Sequence, residues 1–245
     1  MFRGAGTVIN IAAVLLGSGV GMALGNRFPE RTRTLLTQCL GLFTLVLGAL
    51  AIADGLSAEL RAEVGPSAPM LIVLAALLIG AITGSLVRLE DRIDAGAEWV
   101  RRKLARGAEP GPFSEGMVTA TLVFCVGPLS ILGSLSDGLG LGAEQLMVKA
   151  VLDGFAAIAF ASTLGIGVLF SVLPLAVYQG SLTLLGFGLG EFLSVGQIDA
   201  LGATGGIILL GLGVRLAGIK KIAVADLLPA LVFAPLLAWL VSLWR

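Results

Sequence analysis

The stretch GFAAIAFASTLGIGVLFSVLPLAVYQGSLTLLGFGLG, residues Gly154–Gly190, carries no charge and is bounded by Asp153 and Glu191. About 20 helical residues cross the hydrocarbon core of a bilayer, so this stretch is far too long for one span. It also carries Ser162, Thr163, Pro174, Tyr178, Gln179, Ser181 and Thr183, side chains that lipid does not tolerate on its own side. The expected structure is two membrane helices joined by a tight, uncharged turn near Ser171–Pro174, with the polar groups turned toward protein or a water-filled path. A re-entrant pair of half-helices, which also returns to the side it started from, fits equally well.

The rest of the chain agrees with a membrane reading. Of 245 residues, 57% are hydrophobic, 13% are charged and 35 are glycine; the mean hydropathy is +1.00. Long apolar, Gly-rich runs between short charged loops describe an all-α, polytopic transmembrane bundle. A transmembrane β-barrel would alternate along segments of about ten residues, and runs such as Leu71–Ile79 do not. The net charge is zero, which gives no electrostatic case for nucleic acid. There is no histidine, so the usual proton shuttle and the usual zinc, copper or haem ligand are missing. Cys39 and Cys125 lie inside apolar segments and read as small buried residues rather than a disulfide or metal site. No cofactor is expected.

Eight spans fit, at about Thr7–Leu24, Leu35–Ala53, Met70–Val87, Met117–Leu135, Met147–Phe170, Pro174–Gly190, Leu201–Val214 and Asp226–Trp244. The seventh is short unless it begins near Ile198 or runs toward Ile219. A signal peptide is the rival reading of Met1–Asn10. The run instead passes through Gly17, Gly21 and Gly25 into an arginine-rich loop, so the first span is expected to be retained. Arg27, Arg31 and Arg33 follow span one. Arg88, Arg92, Arg101, Arg102, Lys103 and Arg106 follow span three, and Arg215, Lys220 and Lys221 follow span seven. Only Arg3, Arg61, Lys149 and Arg245 fall on the other side, a split of twelve to four. The positive-inside rule then puts both termini outside the cytoplasm. If residues 147–190 crossed only once, the bias would fall to about ten against six, so the charges favour a return.

Internal repeats suggest how the bundle is organised. Leu-Gly-x-Gly-Val occurs at Leu16–Val20, Leu164–Val168 and Leu210–Val214, and Gly80-x-x-x-Gly84 is a looser version. Leu47-Gly48-Ala49-Leu50 before Asp54-Gly55-Leu56 resembles Leu132-Gly133-Ser134-Leu135 before Asp137-Gly138-Leu139. The expected unit is a helical hairpin, giving one membrane domain over 1–245 with hairpins at 1–56, 69–139, 147–190 and 198–245. The alternative is that small residues simply let helices approach, in which case Gly17, Gly165 and Gly211 should lie at helix contacts. Within the loop 88–106, Leu89, Ile93, Val100 and Leu104 share one helical face opposite arginines and acids, and Trp99 suits an interface. This reads as an amphipathic helix on the cytoplasmic leaflet, or else as a solvated connector. Gly111-Pro112 is expected to break the chain before span four.

A few polar residues could carry chemistry. Lys149 and Asp153 are four apart and share a face at the outer end of span five. Asp153 lies a turn deeper, where an acid needs a partner or water; it is either a coupling or substrate-binding carboxylate or half of a locked ion pair. Gln179 follows the only tyrosine, Tyr178, and precedes Gly180-Ser181. Gln179 can both donate and accept, and Pro174 would free a carbonyl one turn earlier. An interhelical hydrogen bond is the plain alternative. Asn10 sits early in span one, and Gly127-Pro128 interrupts span four near Cys125 and Ser130. Asp226, ahead of Pro229 and Pro235, reads first as a helix N-cap. The candidates for binding a solute or ion are thus Asp153, Gln179, Tyr178, Ser162, Ser181, Asn10 and Lys149. No P-loop, hydrolase elbow, metal signature or dinucleotide fingerprint is present, so an enzyme is not expected. The expected partners are the lipid bilayer and a small polar solute or ion; the oligomeric state stays open, a homo-oligomer included.

Several motifs coincide with one family. They are Gly6-Thr7 with Asn10, Glu115-Gly116, Phe124-Cys125-x-Gly127-Pro128 and Ser136-Asp137-Gly138. With them go Lys149 with Leu152-Asp153-Gly154, Ala161–Gly165, Tyr178-Gln179-Gly180-Ser181 and Leu227-Leu228-Pro229-Ala230. Over almost its whole length the chain resembles the bacterial inner-membrane family catalogued as domain of unknown function 554. The resemblance implies a bacterial plasma-membrane protein of a kind often described as a transporter, with no established substrate or mechanism. That family's pattern favours asparagine at the position of Asp226, which supports the capping role. The functional expectation is passage of a small polar solute or ion; the alternative is a non-transporting membrane scaffold or partner subunit.

Overall fold

A computed structural model of the chain describes residues 3–25, 29–105, 108–125, 128–140, 142–189 and 193–244, ten of them (30, 33, 40, 110, 128, 129, 132, 135, 188 and 189) by backbone alone. Every regular element among the described residues is helical. In order they are α1 Ala5–Gly25, α2 Glu30–Gly55, α3 Ala58–Val64, α4 Ala68–Val87, α5 Leu89–Leu104, α6 Pro110–Cys125, α7 Pro128–Leu139, α8 Glu144–Leu164, α9 Gly167–Phe170, α10 Val172–Leu189, α11 Val195–Leu216 and α12 Ala230–Ser242, with a 3-10 turn at Val224–Leu227. Among the described residues, seven stretches are long and apolar enough to cross a membrane: Ala5–Gly25, Thr34–Gly55, Ala68–Val87, Glu144–Leu164, Gly167–Phe187, Val195–Leu216 and Val224–Ser242.

Large apolar side chains face outward and small or polar ones inward. On α4, Leu71, Leu74, Leu78 and Ile82 are exposed while Ile72, Ala76, Gly80 and Gly84 are buried. On α12, Val232, Leu236, Trp239 and Leu240 are exposed while Ala230, Ala234 and Ala238 are buried. Water would not tolerate such a surface; lipid does, and close backbone approach then supplies the packing.

The chain forms two compact units that interleave the expected consecutive hairpins. One comprises Met1–Leu40, Asp94–Cys125 and Leu129–Glu191; the other comprises Gly41–Ile93, Val126–Pro128 and Phe192–Arg245. In the first unit, Gly17, Gly21 and Gly25 press against the backbone carbonyls of Gly154, Ile158 and Ser162. The matching order of residues makes α1 and α8 parallel. Contacts of Thr7 with Thr183 and of Asn10 with Gln179 make α10 antiparallel to both. Residues 144–189 therefore form a full hairpin, with each arm long enough to cross.

In the second unit, Gly41, Gly48 and Gly55 lie against α11 at Gly213 and Ala217, Gly206 and Leu210, and Asp199 and Ala203. Gly80 and Gly84 lie against Ala230 and Asp226. Both pairs are antiparallel. Ser194 caps α11 in a reciprocal box with Gln197, which starts the helix at Val195 and gives it the length that the apolar run Leu201–Val214 lacked.

Several sequence expectations need correction. The fourth expected span, Met117–Leu135, runs over residues 126 and 127, which lie outside the described residues; α6 and α7 are the helical stretches described on either side of them. The turn before α10 comes earlier than Ser171–Pro174. Gly165, at φ +73, ends α8, since only glycine takes this left-handed conformation cheaply. Pro174 is then the third residue of α10, in the first turn, where no interior carbonyl is released. Pro112 likewise lies in the first turn of α6 rather than in a break before it. The Leu-Gly-x-Gly-Val copies are not equivalent: Gly17 is a helix contact, Gly165 faces open space and Gly211 makes only ordinary contacts. The second glycines, Gly167 and Gly213, touch Phe113 and Gly41 instead. In the other repeat, Gly55 and Gly138 are both seated on a neighbouring helix backbone.

The expected amphipathic helix exists as α5. Ala97 and Val100 are buried with Ala105 and Phe113, so part of its apolar face is covered by protein. Trp99 and Leu104 remain exposed, and the Lys103 ammonium sits 4.9 Å from the Trp99 ring centre.

Candidate functional site

Within the first unit, α1, α8 and α10 bring a chain of polar side chains together. The buried face of α1 reads Thr7, Asn10, Val14, Gly17 and Gly21, so two polar residues precede the glycines that seat α8. Asn10 is completely buried and donates its side-chain amide to Asp153 Oδ2 at 3.0 Å and to Gln179 Oε1 at 3.1 Å. Lys149, one turn before Asp153 on α8, donates to the same carboxylate oxygen. The result is a continuous relay, Lys149–Asp153–Asn10–Gln179, across three membrane helices.

Lys149 and Asp153 are 5% and 6% exposed. Bringing both charges out of water is costly, and their attraction offsets that cost only because the partners are in direct contact. The Asn10 amide shares the load on the carboxylate through a charge-assisted hydrogen bond. Two atoms of the relay, Asn10 Oδ1 and Gln179 Nε2, are buried without a hydrogen-bond partner among the described residues. Ser134 Oγ on α7 and Ser18 Oγ on α1 share that condition. Native structures leave few such groups, and each calls for an explanation.

A second polar level lies toward the start of α1. Thr7 and Thr183 share a hydrogen bond of 3.0 Å between their hydroxyls. The Asp137 carboxylate accepts from the backbone N–H groups of Gly4 at 3.1 Å, Gly6 at 2.9 Å and Thr7 at 3.4 Å. Those donors form the otherwise unsatisfied N-terminus of α1, where the helix dipole also favours an anion. Asp137 thus caps α1 from α7. The sequence placed Asp137 within a repeat and within one of the motifs shared with the family, without giving it a role. An acid without a basic neighbour one turn away, at the end of an apolar run, was the available signal.

Of the candidates read from sequence, the structure brings together Asn10, Lys149, Asp153 and Gln179. It does not bring in the others. Tyr178 is half-buried beside Gln179 in sequence, so it points along another face of α10. Ser181 is exposed and donates to the Tyr178 carbonyl. Ser162 donates to the Ala159 carbonyl beside Gly25, where it lines a hollow with Met22, Thr163 and Ile166. Cys125 is a free thiol at the end of α6.

Asp226 does cap a helix, but not its own. It lies in the 3-10 turn, which Pro229 separates from α12, and its Oδ1 accepts from the Glu90 N–H at 2.9 Å at the start of α5. Glu90 in turn accepts from Arg215 at 2.9 Å and from the Ala225 N–H at 3.2 Å. This ties the α4–α5 corner, where Arg88 takes φ 53, to the end of α11. At the opposite end of the same unit, Ser57 donates to Asp199 at 2.6 Å and Ser194 to Glu63 at 3.0 Å.

Long apolar helices, small-residue contacts and a buried Lys149–Asp153 pair define an integral, polytopic membrane protein. The chain belongs to the family described as protein of unknown function (DUF554), whose model matches residues 5–239. It is 30% identical over 236 residues to the uncharacterized membrane protein YdfK of Bacillus subtilis (strain 168), covering 96% of each chain. It is 33% identical over 232 residues to the uncharacterized protein YqgA of Escherichia coli (strain K12), covering 94% of each. No solved structure matches.

Proposed function

We propose that the protein passes a small polar solute or ion across the bacterial plasma membrane, as a transporter or channel, through the site on α1, α8 and α10. One observation carries this reading. A connected set of polar side chains is buried among membrane-spanning helices and still leaves two amide atoms unpaired. Polar groups at membrane depth are costly and mark solute or ion pathways far more often than their number would suggest. The twelve-to-four distribution of Lys and Arg supports termini outside the cytoplasm. The paired contacts of Gly55 and Gly138 support a repeat relating the second and fourth expected spans.

The test is flux in liposomes containing the purified full-length chain, measured across a panel of ions and small solutes, for wild type and Asp153→Asn. Transport by wild type that the variant loses supports the reading. A scaffold or partner subunit is the second reading, favoured by the closed Lys149–Asp153 pair, which glues two turns of α8 without needing a solute. It predicts no flux for any member of the panel.

A further inference from the structure

We infer that the relay's two free ends bind a small uncharged solute that carries both a hydrogen-bond donor and an acceptor, as an amide or urea does, rather than an ion. This rests on the transport reading above and narrows it. The argument starts from Lys149. An ammonium can only donate, so the Asp153 oxygen it meets must accept. An ionised carboxylate has nothing to donate, so Asn10 must turn its NH2 group, not its carbonyl, toward Asp153. The second hydrogen of that NH2 then reaches Gln179, which must present its carbonyl. The orientation of both amides is therefore fixed by the charge at the head of the relay. What remains is one acceptor, Asn10 Oδ1, and one donor, Gln179 Nε2, both on fully buried side chains.

These ends select by charge. The pair Lys149–Asp153 is already neutral, so an ion would enter with no opposite charge left to meet it. A cation drawn to Asn10 Oδ1 would face the positive end of the Gln179 amide; an anion drawn to Gln179 Nε2 would face the Asn10 carbonyl. A neutral molecule with a carbonyl and an N–H or O–H group meets both needs. Because one hydrogen bond joins the two amides, both free atoms fall within reach of one small molecule. Hydrogen-bonding sites of this type reject analogues that leave a buried polar group unpaired.

The experiment uses matched pairs of nearly equal size, acetamide against acetate and urea against guanidinium, in liposomes holding the full chain. Flux is read against empty liposomes. The expected result is flux of acetamide and urea well above background, with acetate and guanidinium near it. Gln179→Glu keeps the carbonyl that Asn10 uses and replaces the free donor with a carboxylate oxygen, so in protein that still folds amide flux should fall at least tenfold. Asn10→Leu, which removes the free acceptor, should cause a similar loss in protein that still folds. Flux of acetate or guanidinium that Gln179→Glu abolishes would overturn the inference while leaving the transport reading standing. Water flux alone, or amide flux indifferent to both variants, would also overturn it. Silence toward all four solutes and toward inorganic ions would remove the inference and the transport reading together.

Discussion

At the residue scale the account turns on Asn10. It is the only side chain that touches both Asp153 and Gln179 among the described residues, and it comes from a different helix from either. Sequence made Asp153, Lys149 and Gln179 visible, because polar residues within apolar runs stand out and spacing by four puts two of them on one face. It could not show that Asn10 joins them, since the contacts reach across 143 and 169 residues of chain. Serines behaved differently. Ser162 and Ser181 satisfy themselves on carbonyls one turn back, a local escape open to short hydroxyl side chains in helices, so their presence in an apolar run says little about a site. A further residue-scale prediction concerns α5. Arg101, which also donates to the Ala108 carbonyl, holds the Glu98 carboxyl below its usual range through a hydrogen bond and charge. A folded pKa lower than the unfolded one gives stabilisation that is present above the ordinary carboxylate range and is lost as pH falls through the folded value. The protection of the Ala108, Glu109 and Phe113 amides, with exchange corrected for its intrinsic pH dependence, should therefore fall as pH drops through the folded value in wild type. It should be low already, and independent of pH, in Glu98→Gln.

At the element scale, glycine spacing sets which helices meet. Gly17, Gly21 and Gly25 recur every four residues, and each would drive a Cβ into a carbonyl of α8. Gly19, on the same helix, faces open space. Gly21→Leu should lower stability by at least the roughly 1–3 kcal/mol typical of overpacking, whereas Gly19→Ala should be neutral or slightly stabilising because it removes chain entropy. Equal melting temperatures for the two variants would refute the packing of α1 on α8. The sequence showed that glycines mattered but not which ones. Leu-Gly-x-Gly-Val looked like one motif at three places, yet its contacting glycine is the first in α1 and the second in α9 and α11. A motif of small residues fixes close approach, not its phase. Proline misled in the same way: Pro112 and Pro174 lie in the first turns of helices, where they favour a start rather than a break.

At the scale of the whole molecule, hydropathy carried most of the architecture. Apolar runs located the seven spanning stretches found among the described residues, but the turn after span five and the start of span seven came six or seven residues earlier than expected. The fourth expected span runs over residues 126 and 127, which lie outside the described residues. The orientation makes its own prediction. Single cysteines at Glu59 and Ser67 should react with an impermeant thiol reagent in intact cells, and cysteines at Gly96 and Lys220 should react only after the membrane is opened. These positions are exposed, so accessibility reports sidedness; the reverse pattern would invert the topology.

The central claim is that Lys149, Asp153, Asn10 and Gln179 form a site rather than glue, and one paired measurement separates the two. Melting temperature and solute flux are measured for Asp153→Asn and for the double change Lys149→Met with Asp153→Leu. Asparagine keeps the shape of Asp153 and can still take the hydrogen bond from Asn10 or Lys149. The account predicts a folded single variant whose flux is gone, and a folded double variant that is equally inactive. A single variant destabilised by about 3–5 kcal/mol, as expected when a buried lysine loses its only counter-charge, and a double variant that regains stability with flux unchanged from wild type, would contradict it.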